Sequence, residues 1–528
     1  MDSLKNKFNN FKQKPMLVYG MGCLLLFVIS FLFTYYLRVI YIADWLNQIN
    51  GTIGIFIALA IMWTVFYFAS KLKNKNLFMT LLLFALGVAF CFATPPNQVP
   101  DEQSHFLRAH AMAQGQLGFD ENHVYPDDVN LLMKHFPIMY NNGYPAREGA
   151  TIYNRFADYK NAVNNGEKAE NMGIIIFQVI PYIPGAIGIF IARAIGFGAL
   201  GAYYANRLAN LIFFCICAYW ILKFSGKFRI IMFSLMAMPL MVFIYASCNT
   251  DSILFRLMFL MFSTVFSEKF DNIKAAIFTL CFAVLCMHKM SYIVFLPLFF
   301  CVNKENWEVK IRNKKIGKTL YLVLTSVVFL ILYEGMGLYV HLFSNYGEIV
   351  RPIIDSNPIE QFKFILRYPL RYAVVFLNTL KNNSFFLFSG GLLGWLDIKL
   401  PLINYLTPII ILFAVIKQAN VFDKKDINKT IAFFICSILT YGVVMTGLYL
   451  SWTPVTLHQI IGLQMRYMCP AFLGFCMVIG QYFAPRTAKT IKNTDYSCIC
   501  TSYIFTITAV ALMLIVYYLP ERAVAFVA

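Results

Sequence analysis

Apolar runs recur along this chain from Met16 to Leu519, separated by short stretches rich in Lys and Arg. Most have the roughly 17–25 residues that carry an α-helix across about 30 Å of hydrocarbon, and none shows the period-2 alternation of a barrel strand. Spans are expected near residues 16–40, 51–70, 77–94, 203–223 and 229–246, with a return from Asp251 to Lys269. The stretch from Ala275 to Cys301 reads as a hairpin of two short spans tipped by Lys289, and further spans follow near 318–343, 402–417, 430–450, 468–484 and 498–519. Pro181 and Pro184 interrupt the apolar stretch 174–197, which is expected to re-enter or lie on the membrane rather than cross it. Arg367 to Phe388 is amphipathic and reads as an interfacial helix. The pattern predicts an all-α polytopic membrane protein of about thirteen transmembrane helices. Its expected divisions are N-terminal transmembrane helices 1–94, a large outer loop 95–200 with interfacial or re-entrant helices, a transmembrane core 201–343, a second outer region 344–401 and C-terminal transmembrane helices 402–528.

Composition excludes a water-soluble globule: 59% of the 528 residues are hydrophobic and only 13% charged. The formal net charge of +18 does not indicate a nucleic-acid partner, because the basic residues sit in short loops where they set orientation and meet anionic lipid headgroups. Lys5, Lys7, Lys12 and Lys14 against Asp2 alone place the N-terminus in the cytoplasm. The run 16–40 is too long for a cleavable leader and is expected to stay as an anchor of a multi-pass plasma-membrane protein. Between 96 and 171 ten acids outnumber six bases, as suits an extracytoplasmic loop, whereas the loop 304–318 holds six bases against two acids and belongs inside. The thirteen cysteines lack the spacing of zinc or disulfide frameworks and read as small core residues.

With this orientation every unusual polar cluster falls on the outer side: Asp101/Glu102/His105/Arg108, Asn249/Asp251, Lys289/Tyr292, Trp395/Asp397 and Gln464/Arg466/Tyr467. Carboxylates beside cations at a bilayer boundary are costly unless used. Together they suit transfer of a group from an anionic lipid: a carboxylate takes the proton of an acceptor hydroxyl or holds a divalent cation, while Lys or Arg offsets the charge of a departing phosphate. No phosphate-binding glycine loop for a nucleotide is present.

The motifs Pro100-Asp101-Glu102-x-x-His105-Phe106-x-Arg108-Ala109, Asn249-Thr250-Asp251, Lys289-Met290-Ser291-Tyr292, Gly394-Trp395-Leu396-Asp397 with Leu400-Pro401, and Gly462-Leu463-Gln464-Met465-Arg466-Tyr467 with Pro470 resemble, in order, the bacterial membrane family called domain of unknown function 2142. That family is itself similar to the GT-C glycosyltransferases. The resemblance implies a GT-C-like fold, a polyprenyl-phosphate sugar as donor, a glycan or glycolipid as acceptor, and an acidic residue of the first long outer loop, Asp101 or Glu102, as base or metal ligand. Arg466 and Lys289 are then the phosphate binders, with His105, Arg108, Asp251, Tyr292, Trp395, Asp397, Gln464 and Tyr467 around the substrate.

Each candidate has a plainer role. Asp101 and Glu102 suit the cap of a helix beginning near Gln103, and Asp251 suits another. His105 and Arg108 sit one and two turns beyond Asp101, as for an internal salt bridge. Lys289 and Arg466 suit lipid anchors, and Trp395 an interfacial belt. A transporter or flippase of lipid-linked glycans, or a non-catalytic assembly protein, are the rival functions.

Overall fold

The computed structural model describes residues 59–118, 120, 123–137, 152–163, 179–344, 356–382, 393–395, 398, 400–455, 457–484 and 494–518. The expected first span, residues 16–40, lies outside them. In chain order the helices are α1 (Leu59–Ala69), α2 (Lys75–Ala93), α3 (Glu102–Ala113), α4 (Asp127–His135), α5 (Ile152–Asn161), α6 (Ile183–Ala194), α7 (Ala199–Phe224), α8 (Arg229–Met236), α9 (Pro239–Tyr245), α10 (Asp251–Phe266) and α11 (Asn272–His288). They continue with α12 (Lys318–Phe343), α13 (Pro358–Arg367), α14 (Pro369–Asn382), α15 (Pro401–Lys417), α16 (Ile427–Trp452), α17 (Phe472–Phe483) and α18 (Thr494–Tyr518). Among the described residues a single β-hairpin, β1 (Lys310–Ile311) with β2 (Lys314–Lys315), turns through Arg312 and Asn313, both at positive φ.

The protein is an all-α membrane protein. Five described segments are long and apolar enough to cross a bilayer, Lys75–Ala93, Ala199–Phe224, Lys318–Phe343, Lys424–Trp452 and Asp495–Leu514, and α8 with α9 makes a sixth if that bent pair is one span. Several other expected spans are shorter helices. The expected continuous span 229–246 is broken: Met238 leaves the helical region at ψ 138°, and Pro239, which has no N–H and crowds its predecessor, starts α9 at 81° to the preceding helical segment. The expected helix from Arg367 to Phe388 begins earlier and is also split, into α13 and α14, at Tyr368 and Pro369. In 174–197, Pro181 sits in the 3-10 turn Ile180–Tyr182, and α6 follows as one 12-residue helix. At 1.5 Å per residue it reaches roughly 18 Å, short of a crossing.

The hairpin expected at 275–301 is present. Asp271 caps α11, Lys289 breaks it in an extended conformation, and a 3-10 helix, Met290–Cys301, returns the chain. Phe270 N–H bonds to the Asn306 carbonyl at 2.8 Å and Glu308 N–H to the Phe270 carbonyl at 2.9 Å, closing the base. Helix α7 forms the centre of this half, packed on α2, α6 and α10. Small residues allow the approach: a Cβ added at Gly188 of α6 would lie 2.4 Å from the Ala205 carbonyl oxygen of α7. The end of α2, the starts of α3 and α10 and the tip of the α11 hairpin thereby meet at one place.

Candidate active site

The segment 94–101 joining α2 to α3 is held by an arginine the motif reading did not single out. Arg207, fully buried on α7, donates from Nη1 to the carbonyls of Cys91 (2.8 Å) and Thr94 (2.6 Å) and from Nη2 to that of Pro95 (3.1 Å). These carbonyls close the C-terminal end of α2, where helix acceptors lack internal partners. The same guanidinium forks onto Glu102, Nε to Oε1 at 2.8 Å and Nη2 to Oε2 at 2.7 Å. Glu102 also accepts from the Cys248 N–H at 3.0 Å and the Val99 N–H at 3.4 Å. Its four acceptor positions are thus filled, and both side chains are completely buried. Glu102, expected as a second base or metal ligand beside Asp101, is turned into this clamp instead. A cation in the interior of a largely apolar 26-residue run was the available signal for Arg207.

Asn97 and Asp101 occupy the left-handed region, at φ 61° and 64°. For Asn97 the neighbours fix it: its amide N–H donates to the Tyr203 hydroxyl (2.8 Å), its Nδ2 to the Phe136 carbonyl (2.7 Å), and its carbonyl accepts from Trp395 Nε1 (2.7 Å). Trp395 therefore ties its turn to this segment. Asp397 lies outside the described residues. Asp101 stands at the N-cap position of α3, yet its side chain makes no capping bond. Strained non-glycine backbone at a charged side chain is a feature of functional sites.

That side chain is directed to Arg466, whose Nη2 lies 2.5 Å from Asp101 Oδ2. Arg466, in the 3-10 turn Met465–Tyr467, also lies with Nε 3.3 Å from Asp251 Oδ2, with Nη1 3.4 Å from the Pro100 carbonyl and with Nη2 3.2 Å from the Tyr467 hydroxyl. The other Asp251 oxygen accepts from Lys289 Nζ at 2.6 Å, and Lys289 lies 4.9 Å from the Tyr467 ring centre. Asn249 locks the parts together, accepting the Asp251 N–H at 2.8 Å and donating to the Pro100 carbonyl at 2.7 Å. The side chains of Arg466 and Asp251 are each only 4% exposed, whereas Asp101 is 40% and Lys289 29% exposed. One carboxylate and one cation are thus partly exposed, beside a buried ion pair. Burial opposes the Lys289 charge, but Asp251 outweighs it and holds the ammonium pKa above its ordinary value.

Other expected members sit around this centre. His105, one turn into α3, places Nδ1 2.9 Å from the Tyr182 hydroxyl; burial pushes its pKa down to about 4, with Asp101 and Asp251 offsetting only part of that. Tyr292 is buried and stacks on Phe295. Gln464, half-buried two residues before Arg466, keeps a buried and unpartnered Oε1. Arg108 is turned to the far end of α3, where it donates to the carbonyls of Gln116, Leu117 and Gly118 at 2.6–3.1 Å. A further clasp went unread in the sequence: Arg193 forks onto Asp128 at 2.5 and 3.0 Å, and Asp128 also accepts the Ala199 N–H, fixing α4 to the α6–α7 corner. Among the described residues no group of three or more His, Cys, Asp or Glu could hold a metal, and Asp101 and Glu102 diverge.

The family model described as predicted membrane protein (DUF2142) matches residues 84–474, a range that contains the whole cluster. No curated protein and no solved structure matches the chain.

Proposed function

The chain belongs to the DUF2142 family of predicted membrane proteins, and for this member we propose a GT-C-like glycosyl transfer from a polyprenyl-phosphate sugar to a glycan or glycolipid on the extracytoplasmic side. The carrying observation is the pairing of a half-exposed Asp101 and Lys289 with a sealed Asp251–Arg466 pair. In this reading Asp101 takes the proton of the acceptor hydroxyl. The acceptor oxygen forms the new bond to the anomeric carbon as the bond from that carbon to the phosphate oxygen breaks. The electron pair leaves with the lipid phosphate, whose charge Lys289 and Arg466 offset. Asp251 bridges both cations and orients them, and Gln464 supplies an acceptor for a sugar hydroxyl. Glu102 takes no part in the chemistry, so the base falls to Asp101 alone.

The test is turnover of purified protein in nanodiscs with a panel of polyprenyl-phosphate sugars, reading release of polyprenyl phosphate. Asp101→Asn is expected to melt close to wild type and to lose roughly 10²–10⁴-fold in rate, the usual worth of a positioned general base. Equal release by wild type and Asp101→Asn, or none from any donor, would count for the assembly-protein or transporter reading.

A further inference from the structure

Five residues beyond Asp251 on α10 lies a second buried cation, Arg256, that the charged cluster does not use. It is fully buried. Nε donates to the Ser252 carbonyl at 2.6 Å and Nη1 to the Asn210 carbonyl of α7 at 2.5 Å, while the guanidinium carbon lies 5.3 and 5.9 Å from the ring centres of Phe213 and Phe214. Nη2 has no partner, and Arg256 takes part in no ion pair among the described residues. Arg207, on the same α7 and equally buried, is the internal contrast, because it carries Glu102. Two neutral carbonyls and two ring faces leave the charge of Arg256 uncancelled, in surroundings where an isolated cation is expensive.

The polar atoms near Arg256 share the same imbalance. Ser252 Oγ, Tyr245 Oη, Asn206 Nδ2 and Asn210 Oδ1 are all buried and unpartnered. Their residues form one connected set. Asn210 Nδ2 donates to Asn206 Oδ1 and to the Ser247 carbonyl, both at 3.0 Å, and the Asn210 carbonyl receives Arg256. Arg256 in turn reaches Ser252, and the Tyr245 ring stacks at 3.8 Å on Phe214, one of the rings against Arg256. Two hydroxyls and an amide N–H thus belong to the same connected set as an unspent guanidinium N–H. Such a surplus of donors with one net positive charge suits a monovalent anion.

We propose that Arg256, with Ser252, Tyr245 and Asn206, binds a small inorganic anion of halide size, which pins α10 to α7 behind the Asp251–Arg466 pair. A single negative charge matches the single uncancelled cation. A phosphate or sulfate would bring more charge and more acceptor oxygens than these donors serve. Asn210 Oδ1, the one orphan acceptor, suits a water in the shell of the ion. The proposal is independent of the glycosyl-transfer reading.

The experiment melts the full-length protein in chloride, bromide and gluconate at constant ionic strength. Wild type is expected to melt higher in either halide, with the increment growing as the logarithm of halide concentration, as mass action requires. Bromide should give an anomalous difference peak within hydrogen-bonding distance of Arg256 Nη2. Arg256→Met should abolish the halide dependence. Tyr245→Phe, which removes one donor and keeps the ring, should raise the half-saturating halide concentration roughly 5- to 10-fold with unchanged melting in gluconate. If Arg256→Met yields no folded protein, Tyr245→Phe and Ser252→Ala decide. Equal melting in all three salts, or one halide response shared by wild type and these variants, overturns the proposal.

Discussion

Replacing Glu102 by Gln tests whether the acidic pair at the start of α3 is divided into a structural and a chemical member. The change removes one charge from a pair whose side chains are both completely buried, and leaves the Arg207 guanidinium with only the carbonyls of Cys91, Thr94 and Pro95 as acceptors of full strength. Breaking a buried pair from one side costs about 3–5 kcal/mol, because the remaining charge is stranded. For a chain of 528 residues, at about 2.1 cal/mol/K of unfolding entropy per residue, that corresponds to a fall in Tm of roughly 3–5 °C. Asp101→Asn, by contrast, alters a carboxylate that is 40% exposed, and Arg466 retains Asp251. Its cost is expected at about 1 kcal/mol or less after solvent screening. Scanning fluorimetry of the detergent-purified variants, with size-exclusion chromatography, reads both. Removing both charges with Glu102→Gln and Arg207→Gln should cost less than the sum of the single changes. A Glu102→Gln protein that melts like wild type, or an Asp101→Asn protein that collapses, would refute the division.

Arg466→Lys keeps the charge but loses the fork that serves Asp101, Asp251 and the Pro100 carbonyl together; turnover is expected to drop roughly 10²-fold in the same release assay with little change in melting. His105 and His110 are buried neutral, burial pushing each pKa down to about 4, so the unfolded chain takes up protons first and stability falls as pH drops from 6.5 to 4, then levels off. Each contributes on the order of 3 kcal/mol over that window, and a Tm–pH series in which His105→Gln is no flatter than wild type would contradict it. Asp128, held below its usual range by Arg193 despite burial, loses its contribution only at lower pH, which keeps the two windows apart. Gly188→Ala places a methyl against the Ala205 carbonyl and should lower Tm, at a cost of about 1–3 kcal/mol.

Asp101, Asp251, Lys289 and Arg466 were legible because each interrupts or borders an apolar run, where a charge has few uses. Their meeting could only be inferred: the contacts join residues 365 apart in sequence. Glu102 was grouped with Asp101 because adjacency suggested a shared task, whereas the left-handed turn at Asp101 and the helix starting at Glu102 send the two side chains apart, one to Arg466 and the other to Arg207. Arg207 and Arg256 were hidden inside long apolar stretches whose totals their charges barely alter. The bend at Pro239 was signalled by the proline itself and passed over because the surrounding hydropathy never fell. The hairpin tipped by Lys289 was found because charge bookkeeping on the flanking loops demanded a return.

Two acids and two bases stand together in the cluster at the head of α10, and their sum is zero. From a distance such an arrangement is electrically quiet, since opposed fields cancel within a few ångströms and leave little to draw in a charged visitor. Capture rates for an anionic lipid should accordingly vary only weakly with ionic strength. In the proposed transfer, engagement would proceed by exchange at the surface: the donor phosphate would take the place of Asp101 on Arg466, and the carboxylate set free by that arrival is the proposed proton acceptor.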